Sequence, residues 1–82
     1  MDTKRFIEWL TAAKGMGTRS AKDVVSRCGR VCRMLNIQEY DENTVLLLLE
    51  NCVFQSSSAF VKAQLKRAVS LYLEFSAEQE KV

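Results

Sequence analysis

The chain predicts an all-α domain, a compact bundle of four helices, and three observations carry that prediction. Its 82 residues contain no proline. No stretch alternates apolar and polar residues long enough to make a strand. Apolar residues recur instead at i, i+3, i+4 and i+7, and the periodic segments are separated by glycine or by the short polar residues that cap helices.

The first helix is expected from about Thr3 to Lys14, capped by Asp2 or Thr3, with Phe6, Trp9, Leu10 and Ala13 as its apolar stripe. Gly15 is placed to end it in a left-handed conformation, and Gly17 keeps the connection short. Thr18 then caps a second helix running to Met34 or Leu35. Its two faces differ sharply. Ala21, Val24, Val25, Cys28, Val31, Cys32 and Leu35 share one side, while Arg19, Lys22, Ser26, Arg30 and Arg33 share the other. Asn36 to Glu42 form a polar connection.

A third helix follows, capped by Asp41 or Asn43 and built on Val45 to Cys52. Because it is apolar on nearly all sides, it is expected at the buried centre. Ser56, Ser57 and Ser58 offer caps for a last helix from about Ala59 to Glu78. The stripe of that helix is Val61, Leu65, Ala68, Tyr72 and Phe75, with Phe60, Gln64 and Leu71 at one margin and Val69 at the other. Lys62 and Lys66 point away from it.

Composition narrows the function. Hydrophobic residues at 48% make a packed core plausible, and the length allows one domain at most. With no histidine, nucleophilic triads and histidine metal sites are excluded within the chain. Cys28, Cys32 and Cys52 lack a fourth zinc ligand and read as buried small hydrophobes. Gly15-Met16-Gly17 lacks the Gly-Lys-Ser/Thr ending of a phosphate loop. No catalytic residue, metal site or cofactor is therefore expected. The longest apolar run, Val45 to Leu49, falls far short of the roughly 20 residues of a membrane span, and the N-terminus has no signal-peptide layout. The reading is an intracellular, cytoplasmic protein that does not engage a membrane.

Net charge is only +2, but it is segregated. In the second helix Arg19, Lys22, Arg27, Arg30 and Arg33 are opposed by Asp23 alone, whereas Glu39, Asp41, Glu42 and Glu50 make the next segment acidic. A solvated helix face also carries cations, but arginine outnumbers lysine in this helix, and the arginine fork matches phosphate geometry. Ser26 lies among them as a further donor. The start of the last helix, with Ser57, Ser58, Lys62 and Lys66, forms a second anion-friendly surface. Together these point to nucleic acid. Gly29, inside the second helix, costs about 1 kcal/mol relative to alanine, which suggests a close helix crossing or close approach of a DNA backbone.

Phe6-Ile7-Glu8-Trp9-Leu10, then Gly15-Met16-Gly17-Thr18-Arg19-Ser20-Ala21 and a basic amphipathic helix, then Ser56-Ser57-Ser58 leading through Gln64-Leu65-Lys66-Arg67-Ala68 to Tyr72-Leu73-Glu74-Phe75, form a pattern. That pattern resembles the N-terminal core-binding domain of phage integrases, which are tyrosine site-specific recombinases. The resemblance spans roughly Thr3 to Ser76 and implies a SAM-like helical fold. It also implies that residues 1–82 are one DNA-binding domain of a longer protein. Such a domain clamps core-site duplex DNA together with the catalytic domain of its parent chain. Carried onto this sequence, the contacts are Arg19, Asp23, Ser26, Arg27 and Arg30 from the second helix and Ser57, Ser58, Lys62 and Lys66 from the last. Lys22 joins them through its place on the basic face.

Val24 stands where many relatives carry an aromatic. The family's catalytic arginines, histidine and nucleophilic tyrosine belong to the catalytic domain, so Tyr40 and Tyr72 are not assigned as nucleophiles. By itself the domain is expected to be monomeric. The alternative is a helical protein-interaction module docking through the third helix or the Tyr72–Phe75 region. A helix-turn-helix regulator fits less well, since the second helix is long and follows a Gly-Met-Gly turn.

Overall fold

A long apolar stripe buries itself most effectively against another long stripe, and the two longest helices of the chain meet in this way. The computed structural model describes residues 3–38, 40–41 and 43–80, residue 80 by its backbone alone. It is all-α, with α1 at Thr3–Ala13, α2 at Thr18–Leu35, α3 at Thr44–Glu50, α4 at Cys52–Gln55 and α5 at Ala59–Glu80. None of these helices is long and apolar enough to cross a membrane. Asp2, offered above as a cap, and Glu39 and Glu42 of the acidic run lie outside the described residues.

Helices α2 and α5 run antiparallel. Small residues at their contact let the backbones approach closely enough for the Cys28 thiol to donate to the Ala68 carbonyl at 3.3 Å. On one side of this pair, α1 inserts Phe6 and Leu10 against Ala21, Val24, Cys28, Leu71 and Phe75. Phe6 meets Tyr72 edge-on and Phe75 at a tilt, each with 5.2 Å between ring centroids. On the other side, α3 and α4 contribute Leu48 and Phe54 to a second cluster with Val31, Leu65 and Val69. Tyr40 packs against both clusters. Its ring stands edge-on to Tyr72 at 4.9 Å and its hydroxyl donates to the Cys28 carbonyl.

The connections follow from local chemistry. Gly15 takes the left-handed conformation at φ +64°, as its position predicts, so that Met16 N–H can close on the Leu10 carbonyl at 3.2 Å. Asn36, at φ 55°, ends α2 in the same way, with Ile37 N–H bonded to Cys32. Thr18 does not cap α2: the cap is Gly17, which offers no side chain. Asn43 is the cap of α3 but makes no side-chain cap bond; Asp41 and Thr44 tie this turn together instead.

Two expectations about the third helix fail. The helical path breaks at Asn51, giving five helical segments in place of four. The Asn51 side chain accepts from Val53 and Phe54 N–H groups to cap α4, and it donates to the Met34 carbonyl at 3.2 Å. Nor is α3 central, because only Thr44 and Leu48 are buried while Leu46, Leu47 and Leu49 face solvent. Phe60 and Ala13, both assigned to apolar faces, are exposed as well. In the Tyr72–Phe75 region Phe75 is buried in the core and Tyr72 packs half-buried against it. All three cysteines are free. Cys28 is buried, Cys32 half-buried, and Cys52 exposed contrary to the reading of all three as buried.

Burial pushes the Cys28 thiol from its ordinary 9.0 up to about 12, with the Tyr40 hydrogen bond opposing the shift. Burial also raises Tyr40. Both groups hold their protons more tightly folded than unfolded, so their share of stability is complete below pH 9 and is lost as pH rises toward 12. Chemical denaturation between pH 8 and 12 should show stability falling across that window. A thiol reagent at pH 8 should modify Cys52 at once and Cys28 only on unfolding.

Candidate nucleic-acid interface

With Ala21, Val24, Cys28 and Val31 committed to the core, helical geometry turns the opposite side of α2 to water. Arg19, Lys22, Ser26, Arg30 and Arg33 are all exposed there. Among the described residues Lys14 pairs with Glu74 at 2.6 Å, and no ion pair engages the α2 cations. This face therefore presents unneutralised positive charge, mostly as arginine.

Arg27 sits at the edge of that face, half-buried, where α2 meets α5. Together with Ser20 and Asp23 it lines an open cleft of about 440 Å³, whose floor is Val24 and Ala68 and whose end wall is the Gly15-Met16-Gly17 turn. The far side is formed by Gln64 and Arg67 of α5. Arg27 and Arg67 thus line one cleft from two helices, with Gln64 as an uncharged donor and Asp23 as the single acid. Such a cleft suits an anion that accepts several hydrogen bonds.

The second surface expected from the sequence is arranged differently. Ser58 caps α5, accepting from Val61 N–H at 3.2 Å, and the Ser57 hydroxyl donates to the Val53 carbonyl at 2.9 Å. Both serines are engaged in local turns. Lys62 and Lys66 line a separate groove of about 380 Å³ with Leu49, Phe54, Gln55, Ala59 and Ala63. They flank α3 and α4, on the other edge of α5 from Gln64 and Arg67. Arg19, Lys22, Asp23, Ser26, Arg27 and Arg30 are brought together; Ser57, Ser58, Lys62 and Lys66 stand apart from them. Sequence reasoning did not single out Gln64 or Arg67 as contacts; the signal available was the place of Gln64 at the margin of the α5 stripe.

Gly29 has no close helix crossing. A methyl group there would meet only the flexible end of Arg33, at an ordinary 3.5 Å. Compared with known proteins, the chain matches no family model, no curated protein and no solved structure. Gly29→Ala should therefore stabilise the fold by about 1 kcal/mol, read as a higher urea midpoint at unchanged slope; a lower midpoint would show a constraint at this position that the fold does not account for.

Proposed function

We infer that this chain is a DNA-binding domain that holds duplex DNA along α2 and the α2–α5 cleft, inside the cell. The observation that carries the reading is the run of exposed cations Arg19, Lys22, Arg30 and Arg33, unpaired among the described residues and continued by Arg27 and Arg67 in the cleft. The resemblance to the core-binding domain of tyrosine recombinases supports the same reading and gives it a context. The domain would grip core-site DNA during integration or recombination, while a catalytic domain of its parent chain carries out strand exchange. This chain contributes binding and no catalysis.

Fluorescence anisotropy with a duplex should give binding that weakens steeply with salt. Contact with about six phosphates corresponds to a log–log slope near −5. Changing Arg19, Arg27 and Arg30 to glutamate should abolish binding at low salt while leaving the circular dichroism spectrum intact. A folded wild-type protein with no affinity at low salt would sink the reading.

One observation favours a second activity, docking on a protein surface. Leu46 is 59% exposed, and Leu47, Leu49 and Val53 accompany it on α3 and α4, an apolar exposure that solubility alone does not explain. Light scattering should then show self-association at high concentration that resists salt and disappears in Leu46→Glu. A chain that stays monomeric throughout would argue against it.

A further inference from the structure

Phe60 is the most exposed large hydrophobic residue of the described chain, at 72%. Every other aromatic ring except Phe54 belongs to or packs against the α1-side cluster, and Phe54 of α4 is buried in the second cluster with Val31, Leu48 and Leu65. The position of Phe60 on α5 gives this exposure a context. Residues at i, i+4, i+7 and i+11 share one side of a helix, so Phe60, Gln64, Arg67 and Leu71 form a single row. Leu71 is covered by α1. Gln64 and Arg67 line the cleft beyond the end of α1, opposite Arg27. Phe60 is the next position in that row, one turn further on, where nothing covers it.

The antiparallel run of α2 beside it continues from Arg27 to Arg30, which is exposed. An uncovered ring is therefore set in line with cations from both helices. Lysine and arginine there suit phosphates, but a phenyl ring has no use for a phosphate. Its natural contacts on a polyanion are the apolar parts: base faces and edges, thymine methyls and sugar carbons. Charge complementarity along the rest of the row selects duplex DNA as the occupant over an apolar protein surface, which would leave Arg27, Arg30 and Arg67 desolvated and unpaired.

We propose that Phe60 is a groove-contacting residue of the DNA interface, packing its ring against base edges and deoxyribose while Arg27, Arg30 and Arg67 hold the flanking phosphates. The proposal rests on the DNA-binding reading and adds to it the one apolar contact of the surface. An exposed ring adds nothing to the core, so its replacement leaves stability unchanged and acts on binding alone.

Anisotropy titrations with one duplex over a series of salt concentrations, using wild type, Phe60→Ala, Phe60→Leu and Arg67→Gln, test it. Phe60→Ala should weaken binding about tenfold at every salt concentration, with the salt slope unchanged, since no counterion is released by a phenyl ring. Phe60→Leu should recover most of that loss. Arg67→Gln should flatten the slope by about one. Thermal melts should coincide for wild type and both Phe60 variants. If wild type binds and Phe60→Ala binds equally well, or if its loss appears as a changed salt slope, the Phe60 contact is overturned and the DNA reading stands. If wild type does not bind, both fall together.

Discussion

The close antiparallel pairing of α2 with α5 decides most of what else the chain can do. Small residues at the crossing, Cys28 and Ala68, bring the helices near enough for a thiol-to-carbonyl hydrogen bond, and bulkier neighbours above and below fill the remaining space. Once these faces are joined, each helix has one edge left on either side of the seam. The remaining elements cover those edges only in part. Helix α1 closes one side at the Leu71–Phe75 end, and α3 with α4 closes the other side around Leu65 and Val69. The uncovered length of the first seam is the basic cleft. It is a remainder of the packing, open because α1 is too short to reach further.

That dependence explains which features were legible in the sequence. The core face of α2 was readable because eighteen residues span five turns, so the stripe from Ala21 through Val31 fixes its phase without ambiguity. The turn at Gly15 was readable because a left-handed residue after a helix is a local requirement. Helix α3 was not. In seven residues with apolar side chains all round, periodicity gives no direction, and the reading defaulted to burial on every side. The break at Asn51 was hidden for a related reason: an asparagine flanked by apolar residues fits a helix interior or a cap, and only the Met34 carbonyl beside it settles the matter.

For the interface, the outward cations of α2 followed from the helix wheel, but the partners across the cleft did not. Whether Lys62 and Lys66 or Gln64 and Arg67 lie beside α2 depends on which edge of α5 the helix occupies, a tertiary fact some forty residues away in sequence. Sequence patterning located the charge, and only the fold tells which residues of α5 face it. Ser57 and Ser58 illustrate the same limit, because a serine hydroxyl free in the sequence is consumed by the nearest turn once the chain folds.

The separation of charge has one more consequence. Glu74 and Glu78 are anchored beside α1 by Lys14 and the Trp9 indole, whereas the outward face of α2 carries cations with no acid paired to them among the described residues. A net charge of +2 gives little attraction at a distance, but opposite charges fixed on different parts of a rigid body give it an electric dipole moment. In the field of a polyanion that dipole feels a torque over about one Debye length, roughly 10 Å at 0.1 M salt. The domain would turn its α2 face forward before touching, so rotational alignment during approach would be set by charges that need make no contact in the bound state.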